Sequence, residues 1–173
     1  TKENQPWKSQ IENIKTIEID DDVTTIGKNA FNSFTNLKSI TIANSVTSIG
    51  DYAFQSSTIG SISISEYVTS IGELVFNKCN QLKQITVNTN NKQYSDKAGV
   101  LFNKAGTTLI VYPNGKELDT NKNYTIPTGV TTIEKYAFES SPIKILSLNS
   151  ELQTIKSSAF LNWSNLETFE YPV

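Results

Sequence analysis

The side chains able to do chemistry in this sequence are few, and what is missing narrows the field first. Histidine, arginine and methionine are absent, and one cysteine, Cys79, occurs in 173 residues. Without histidine no Ser/His/Asp or Cys/His nucleophilic set can be assembled, and zinc loses its commonest nitrogen ligand. A single cysteine makes no internal disulfide, and Cys79, following Val75-Phe76, reads as a small buried side chain rather than a nucleophile. Ser141 and Lys144 fit S-x-x-K, in which a lysine one helical turn away activates a serine, but Pro142 puts this serine in a turn and Lys144 at the start of a strand. Asp20, Asp21 and Asp22 lack the glycine-containing loop and distal glutamate of a calcium site, so they read as a solvated acidic turn. Asn123-Tyr124-Thr125 and Asn162-Trp163-Ser164 are glycosylation sequons, which act only in a eukaryotic secretory pathway. No catalytic set, metal site or cofactor site emerges.

Composition closes further classes. Fifteen lysines against 17 acids give a net charge of −2, spread without any long like-charged run, where a nucleic-acid binder should carry a basic stripe. No apolar stretch approaches the roughly 20 residues that span a bilayer, so no membrane insertion is expected. The polar start, Thr1 to Gln10, lacks an initiating methionine and reads as the beginning of a processed or excised segment. At 37% hydrophobic residues the chain can bury a continuous core.

The elements that would position any site come from an internal repeat. Five segments match: VTTIGKNAF (23–31), VTSIGDYAF (46–54), VTSIGELVF (68–76), VTTIEKYAF (130–138) and LQTIKSSAF (152–160). A period near 22 is the signature of a solenoid whose coils each add a strand to a shared ladder. Between these segments lie LKSITI (37–42), IGSISI (59–64), LKQITV (82–87), IKILSL (143–148) and LETFEY (166–171), with IKTIEI (14–19) ahead of the first. Their last three positions alternate apolar, polar, apolar, which predicts the ladder strands. V-T-x-I predicts a second short strand, glycine at 27, 50 and 72 permits the turn after it, and x-x-A-F predicts one helical turn against the interior. Phe31, Phe54, Phe76, Phe138 and Phe160 then stack into an aromatic spine.

Residues 88–129 break the pattern. GVLFNKAGTTLIVYP (99–113) predicts a hairpin, and Leu109, Val111, Tyr124 and Ile126 are placed on the ladder. Eight rungs at about 4.8 Å make a ladder of ~34 Å, forming one continuous parallel sheet. Residues 114–123, NGKELDTNKN, predict a mobile loop projecting into solvent, and deleting Lys116 to Lys122 is expected to change stability by less than about 1 kcal/mol.

The unit L-x-x-I-x-I-x-x-x-V-T-x-I-G-x-x-A-F resembles the BspA-type leucine-rich repeats of bacterial and protist surface proteins, from about Trp7 to the last residue. Glu134 and Lys156 depart from it where the first three copies have glycine, and most copies lack the cysteine that Cys79 supplies. The resemblance implies a right-handed solenoid, and with the elements read above the expected fold is an α/β repeat: a leucine-rich-repeat solenoid with a parallel β-ladder, short helical turns and an irregular hairpin and loop insertion. It is read as a single domain over 1–173, with an N-terminal cap and first strand (1–22), regular repeats (23–87), irregular insertion coils (88–129) and regular repeats (130–173). It implies secretion or surface attachment, adhesion to a host or matrix protein or another surface protein, no enzymatic activity, and no binding residues to carry over.

Two candidate surfaces follow from the residues. The outward polar positions Glu18, Thr41, Ser63, Thr86, Thr125, Ser147 and Glu170 form a row about 5 Å apart per rung that could meet an extended protein or polysaccharide ligand. The charged loop residues Lys116, Glu117, Asp119 and Lys122 form the second. Glu18 and Glu170, on the first and last rungs, lie too far apart for a glycosidase pair, which needs about 5–9.5 Å. Trp7 is expected to cover the open end of the first coil, and Tyr171-Pro172-Val173 to leave an uncovered edge. A monomer is expected.

Overall fold

The computed structural model describes residues 7–171 and is a parallel β-solenoid of about seven turns. Residues 1–6 and Pro172-Val173, with the expectations that fall on them, lie outside the described residues. Each regular coil has three sides. With strands numbered in chain order, the first side carries β1 (Thr16–Glu18), β3 (Ser39–Thr41), β5 (Ser61–Ile64), β7 (Gln84–Val87), β11 (Asn123–Thr125), β13 (Ile145–Ser147) and β15 (Thr168–Glu170). The second carries β2 (Thr25–Ile26), β4 (Ser48–Ile49), β6 (Ser70–Ile71), β12 (Thr132–Ile133) and β14 (Thr154–Ile155). The excursion between β7 and β11 adds β8 (Tyr94–Lys97), β9 (Val100–Asn103) and β10 (Thr108–Val111). The period-2 pattern fixes which side chains enter: in β5, Ser61 and Ser63 are exposed while Ile62 and Ile64 are buried.

The third side, expected to be helical, is not. Among the described residues the one helical piece is a 3-10 turn at Lys8–Gln10. Every regular coil instead holds two residues four apart with left-handed backbone: Asn29 and Ser33, Tyr52 and Ser56, Leu74 and Lys78, Tyr136 and Ser140, Ser158 and Asn162. A right-handed helix cannot pass through such residues. Backbone groups are paired another way. Asn29, Phe31 and Ser33 donate to Asp51, Ala53 and Gln55 of the next coil at 2.7–3.0 Å, whereas Ala30 and Asn32 donate back within their own turn. Tyr52, Phe54 and Ser56 repeat the arrangement onto Glu73, Val75 and Asn77. The turn wall is thus bonded from coil to coil like a ladder. The glycines also differ from expectation: Gly50 and Gly72 have no left-handed φ, and a Cβ there would sit 2.7 and 2.6 Å from backbone nitrogens of the preceding coil. They serve close approach. In the second half Glu134 and Lys156 occupy that position and pair with each other at 2.8 Å.

The single continuous ladder is corrected. The first side divides into β1-β3, β5-β7 and β11-β13-β15, and the second into β2-β4-β6 and β8-β9-β10-β12-β14. β11 continues the first side as expected, Tyr124 opposite Leu146, but β10 joins the second side, with Leu109 opposite Ile133. Leu109 and Val111 are therefore not rungs of the first ladder. The hairpin is present, antiparallel between β9 and β10, and gains an unexpected partner in β8 through a two-residue turn at Ala98-Gly99, both with positive φ.

The excursion also partitions the core. β9 is buried on both faces: Leu101 packs with the first cluster, around Ile49, Phe54, Ile62 and Ile85, while Val100 and Phe102 pack with the second, around Val130, Phe138 and Leu146. Facing it, Leu109 lies opposite Phe102 in the second cluster and Val111 lies opposite Leu101 against the first. A register shift between Leu109 and Val111 makes this crossing possible, since without it both would share a face.

The aromatic spine forms in two runs. Trp7, Phe31, Phe54 and Phe76 follow one another at 6.2, 5.5 and 5.8 Å, and Tyr112, Phe138 and Phe160 at 5.5 and 5.9 Å. Tyr112, absent from the sequence-based spine, takes the phenylalanine position of its coil, and Trp7 covers Phe31 as expected. Phe54 is fully buried between two rings. Phe54→Ala is expected to lower stability in urea denaturation by about 3–5 kcal/mol, and Phe160→Ala, at a half-buried position, by distinctly less.

Candidate functional site

The outward face of the first side is where the sequence placed a binding row, and the structure gives it a second column and a break. Each rung exposes two positions: Thr16 and Glu18, Ser39 and Thr41, Ser61 and Ser63, Gln84 and Thr86 on the N-terminal strands. The C-terminal strands present Asn123 and Thr125, Ile145 and Ser147, Thr168 and Glu170 in the same register. The sequence reading took one residue per strand, although the same alternation also marks Thr16, Ser39, Ser61 and Gln84. The row is not one ladder: Glu18 to Thr86 lie on β1-β3 and β5-β7, which adjoin without strand pairing between β3 and β5, Thr125 to Glu170 lie on β11 to β15, and the main break is between β7 and β11, which do not pair. Glu18 and Glu170 occupy different sheets. Several members bond to one another, Ser63 to Thr86 at 2.9 Å and Ser147 to Glu170 at 2.5 Å, which reduces their capacity for a ligand.

At the break the two candidate surfaces meet. Instead of projecting, residues 114–118 run back along the solenoid. The Gly115 N–H donates to the Leu82 carbonyl at 2.9 Å, Lys116 Nζ donates to the Ala98 carbonyl, and Leu118 packs against the second core cluster. Glu117 accepts from Lys83 Nζ at 2.7 Å, and this bond, reinforced by the lysine charge, holds its carboxyl below the ordinary glutamate range. Gly60, Ser61, Lys83, Gln84, Lys116 and Glu117 enclose a shallow polar depression of about 460 Å³. Asp119 and Lys122 stand apart from it: the Asp119 carboxylate accepts the Asn123 N–H at 2.9 Å, and the Lys122 carbonyl accepts the Lys144 N–H at 2.9 Å. Both help to set the start of β11. Of the four loop residues, two reach the ladder face and two serve the fold. The expected freely projecting loop is corrected on these contacts.

The remaining candidates take plain roles. Ser141 is buried and its Oγ accepts from the Ile143 N–H, while the Lys144 ammonium pairs with Glu167, so the two do not form a nucleophilic pair. Cys79 is buried, donates to the Phe54 carbonyl at 2.9 Å, and burial pushes its thiol up to about 11. The Asp20 carboxylate accepts the Asp21 N–H. Asn91, not singled out from sequence, is fully buried: its amide donates to Ser65 and Val68 carbonyls, and its oxygen accepts from Gln93 and Tyr94 N–H groups, which fixes the departure of the excursion. Among the described residues no helix is long and apolar enough to cross a membrane.

Comparison with known proteins agrees with this architecture. Residues 8–121 and 116–173 match the BspA type leucine rich repeat region, in six copies. The pneumococcal vaccine antigen PcpA superposes with a TM-score of 0.80 at 29% identity over 91% of this chain and 39% of its own. A leucine rich cell surface protein of Faecalibacterium prausnitzii A2-165 gives 0.78 at 30% identity over 92% and 42%, and a leucine-rich repeat protein of Eubacterium ventriosum ATCC 27560 gives 0.62 at 25% over 99% and 63%. The chain spans about two fifths of the length of the first two. No curated protein matches at a significant level.

Two outcomes check the depression. Lys83→Ala is expected to return the Glu117 carboxyl, followed by carbon NMR, from its lowered midpoint toward the ~4.3 of a free glutamate. Because the folded value is lowered, the contact is present above the unfolded value and is lost as pH falls through the folded one. Gly115→Ala places a Cβ within 2.5–2.8 Å of the Asn80-Gln81-Leu82 backbone and should lower stability by about 1–3 kcal/mol in chemical denaturation.

Proposed function

Since the chain belongs to the BspA type leucine rich repeat family, we propose that it is a non-catalytic interaction module of a bacterial-type cell-surface protein, acting outside the cell in adhesion. Proteins of this repeat family and solenoid fold are typically non-enzymatic. The observation that carries the reading is the outward face of β1, β3, β5 and β7. There two columns of short polar side chains run beside the charged depression of Lys83, Lys116 and Glu117. Such a flat surface, fixed by backbone pairing, presents hydroxyls and charges with little ordering left to be done on binding. Its partner class is a host or matrix protein, another surface protein, or a surface polysaccharide.

A second reading, a structural spacer that holds another domain away from the cell surface, is favoured by the hydroxyls that bond to each other and by the lack of aromatics in the row. Interface hot spots are usually aromatic or arginine. Folded protein on a biosensor, exposed to matrix proteins and surface polysaccharides, separates the two. The adhesion reading expects at least one binder, whose affinity falls at least tenfold in the combined variant Thr41→Ala, Ser63→Ala, Thr86→Ala while the thermal midpoint holds. Uniform silence from the folded protein supports the spacer.

A further inference from the structure

The break in the solenoid leaves a second surface, on the turn side. In the first two coils the turn N–H groups at the left-handed residue, the phenylalanine and the residue two beyond it are taken by carbonyls of the following coil. In the third coil the corresponding donors are Leu74, Phe76 and Lys78, and none of these N–H groups has an acceptor among the described residues. The excursion that follows supplies β8, β9 and β10 but no turn to lie against them. A cleft of about 400 Å³ remains between Leu74, Val75 and Phe76 on one wall and Val111, Tyr112 and Ala137 on the other. It separates the two runs of the spine. Phe76 has a ring partner in Phe54, and Tyr112 has partners in Tyr124 and Phe138, but no ring contact joins Phe76 to Tyr112.

Two residues of the lining each carry a buried polar atom without a partner. Glu139 is 5% exposed; one carboxylate oxygen accepts from Ser140 and Asn162, and the other has no hydrogen bond. Tyr112 is 2% exposed and its hydroxyl is also unbonded. A buried polar group left without a partner costs about 1–3 kcal/mol, so a cation that reaches the Glu139 carboxylate gains by pairing with it. The lining carries the carboxylates of Asp51, Glu73, Glu134 and Glu139 against the single ammonium of Lys135, which spans the cleft to Glu73 at 3.1 Å. Lys28 and Lys156, from outside the lining, meet Asp51 and Glu134.

We propose that this cleft binds a basic, aromatic-bearing polypeptide segment of a partner protein. Alternate carbonyls of the segment accept the Leu74 and Phe76 N–H groups, an aromatic side chain enters between Phe76 and Tyr112, and a lysine or arginine is drawn to Glu139. The occupant is inferred from what fills the same place elsewhere: regular coils receive these donors with backbone carbonyls and stack a ring at 5.5–5.8 Å. Glu139, the one lining carboxylate without a lysine partner among the described residues, selects the charge. Such edge capture of a peptide backbone is an established mode of recognition, and it does not depend on the ladder face.

The test uses the whole chain and three fluorescent hexapeptides: Lys-Lys-Ala-Phe-Lys-Ser, the same with alanine for phenylalanine, and the same with glutamate for each lysine. The first is expected to bind with a sub-millimolar Kd and the other two at least tenfold more weakly. Amide exchange by NMR reads the site directly. In free protein Leu74 and Phe76 should exchange faster than Tyr52 and Phe54, and saturating peptide should slow them at least tenfold while Ser61 and Ser63 stay unchanged. Glu139→Gln should weaken the basic peptide several-fold. The proposal is overturned by no binding at millimolar peptide, by equal binding of the acidic peptide, or by binding that leaves those two amides unprotected. Protection of the same amides at high protein concentration without peptide would assign the cleft to a second copy of this chain instead, and would overturn it too.

Discussion

A coil of about 22 residues cannot bury its own apolar side chains; it borrows walls from its neighbours. That constraint organises everything else in the molecule. Each of the three sides is therefore a row of backbone hydrogen bonds between coils, including the turn side, where Phe31 and Phe54 donate forward to Ala53 and Val75. The left-handed pairs such as Tyr52 and Ser56 make this possible, because they aim alternate N–H groups along the solenoid axis. Left-handed backbone costs a non-glycine residue about 1–3 kcal/mol. The coil-to-coil bonds and the stacked rings beneath them hold it in place.

Where the repeat is interrupted, the same constraint asks for a surface that can serve two cores. β9 answers it with Val100, Leu101 and Phe102, an unbroken apolar run, which is the sequence form of a strand covered on both faces. The register shift at Ile110 lets β10 do likewise. The excursion is thus the shared wall between the two halves. Its limited reach on the turn side is what parts the spine between Phe76 and Tyr112.

Much of this was legible in the residues. The period-2 blocks located seven first-side strands, and V-T-x-I located the second side. The phenylalanine after alanine located the spine. Three things were not legible, each for a physical reason. One helical turn and two left-handed corners bury the same alanine and phenylalanine, so A-F alone cannot tell them apart; the deciding bonds come from another coil. Leu109 and Val111 alternate as well on one wall as on the other, and only pairing with Thr132-Ile133 assigns them. The charged stretch 114–123 looks like a free loop because its anchors, the Gly115 N–H, the side chains of Lys116, Glu117 and Asp119, and Leu118, do not announce their partners. For the candidate site, the outward row was readable from alternation, whereas its break and its meeting with Lys116 and Glu117 depend on the path of the excursion.

The β8–β9 hairpin has a kinetic meaning as well. Apart from the neighbouring β9–β10 hairpin, every ladder among the described residues is parallel and joins residues on successive coils, such as Ile17 with Ile40, Ile62 with Ile85 and Leu109 with Ile133. Lys97 and Val100 face each other across two residues. Closing so short a loop forfeits little chain entropy, and hairpins form in about 1–10 μs, ahead of pairings that must gather a whole coil. The irregular centre is therefore the segment able to assume its shape before any coil exists. Once folded it offers an edge on β10 for the C-terminal half and an apolar face through Leu101 for the N-terminal half, so that order can spread from the middle of the chain toward both ends.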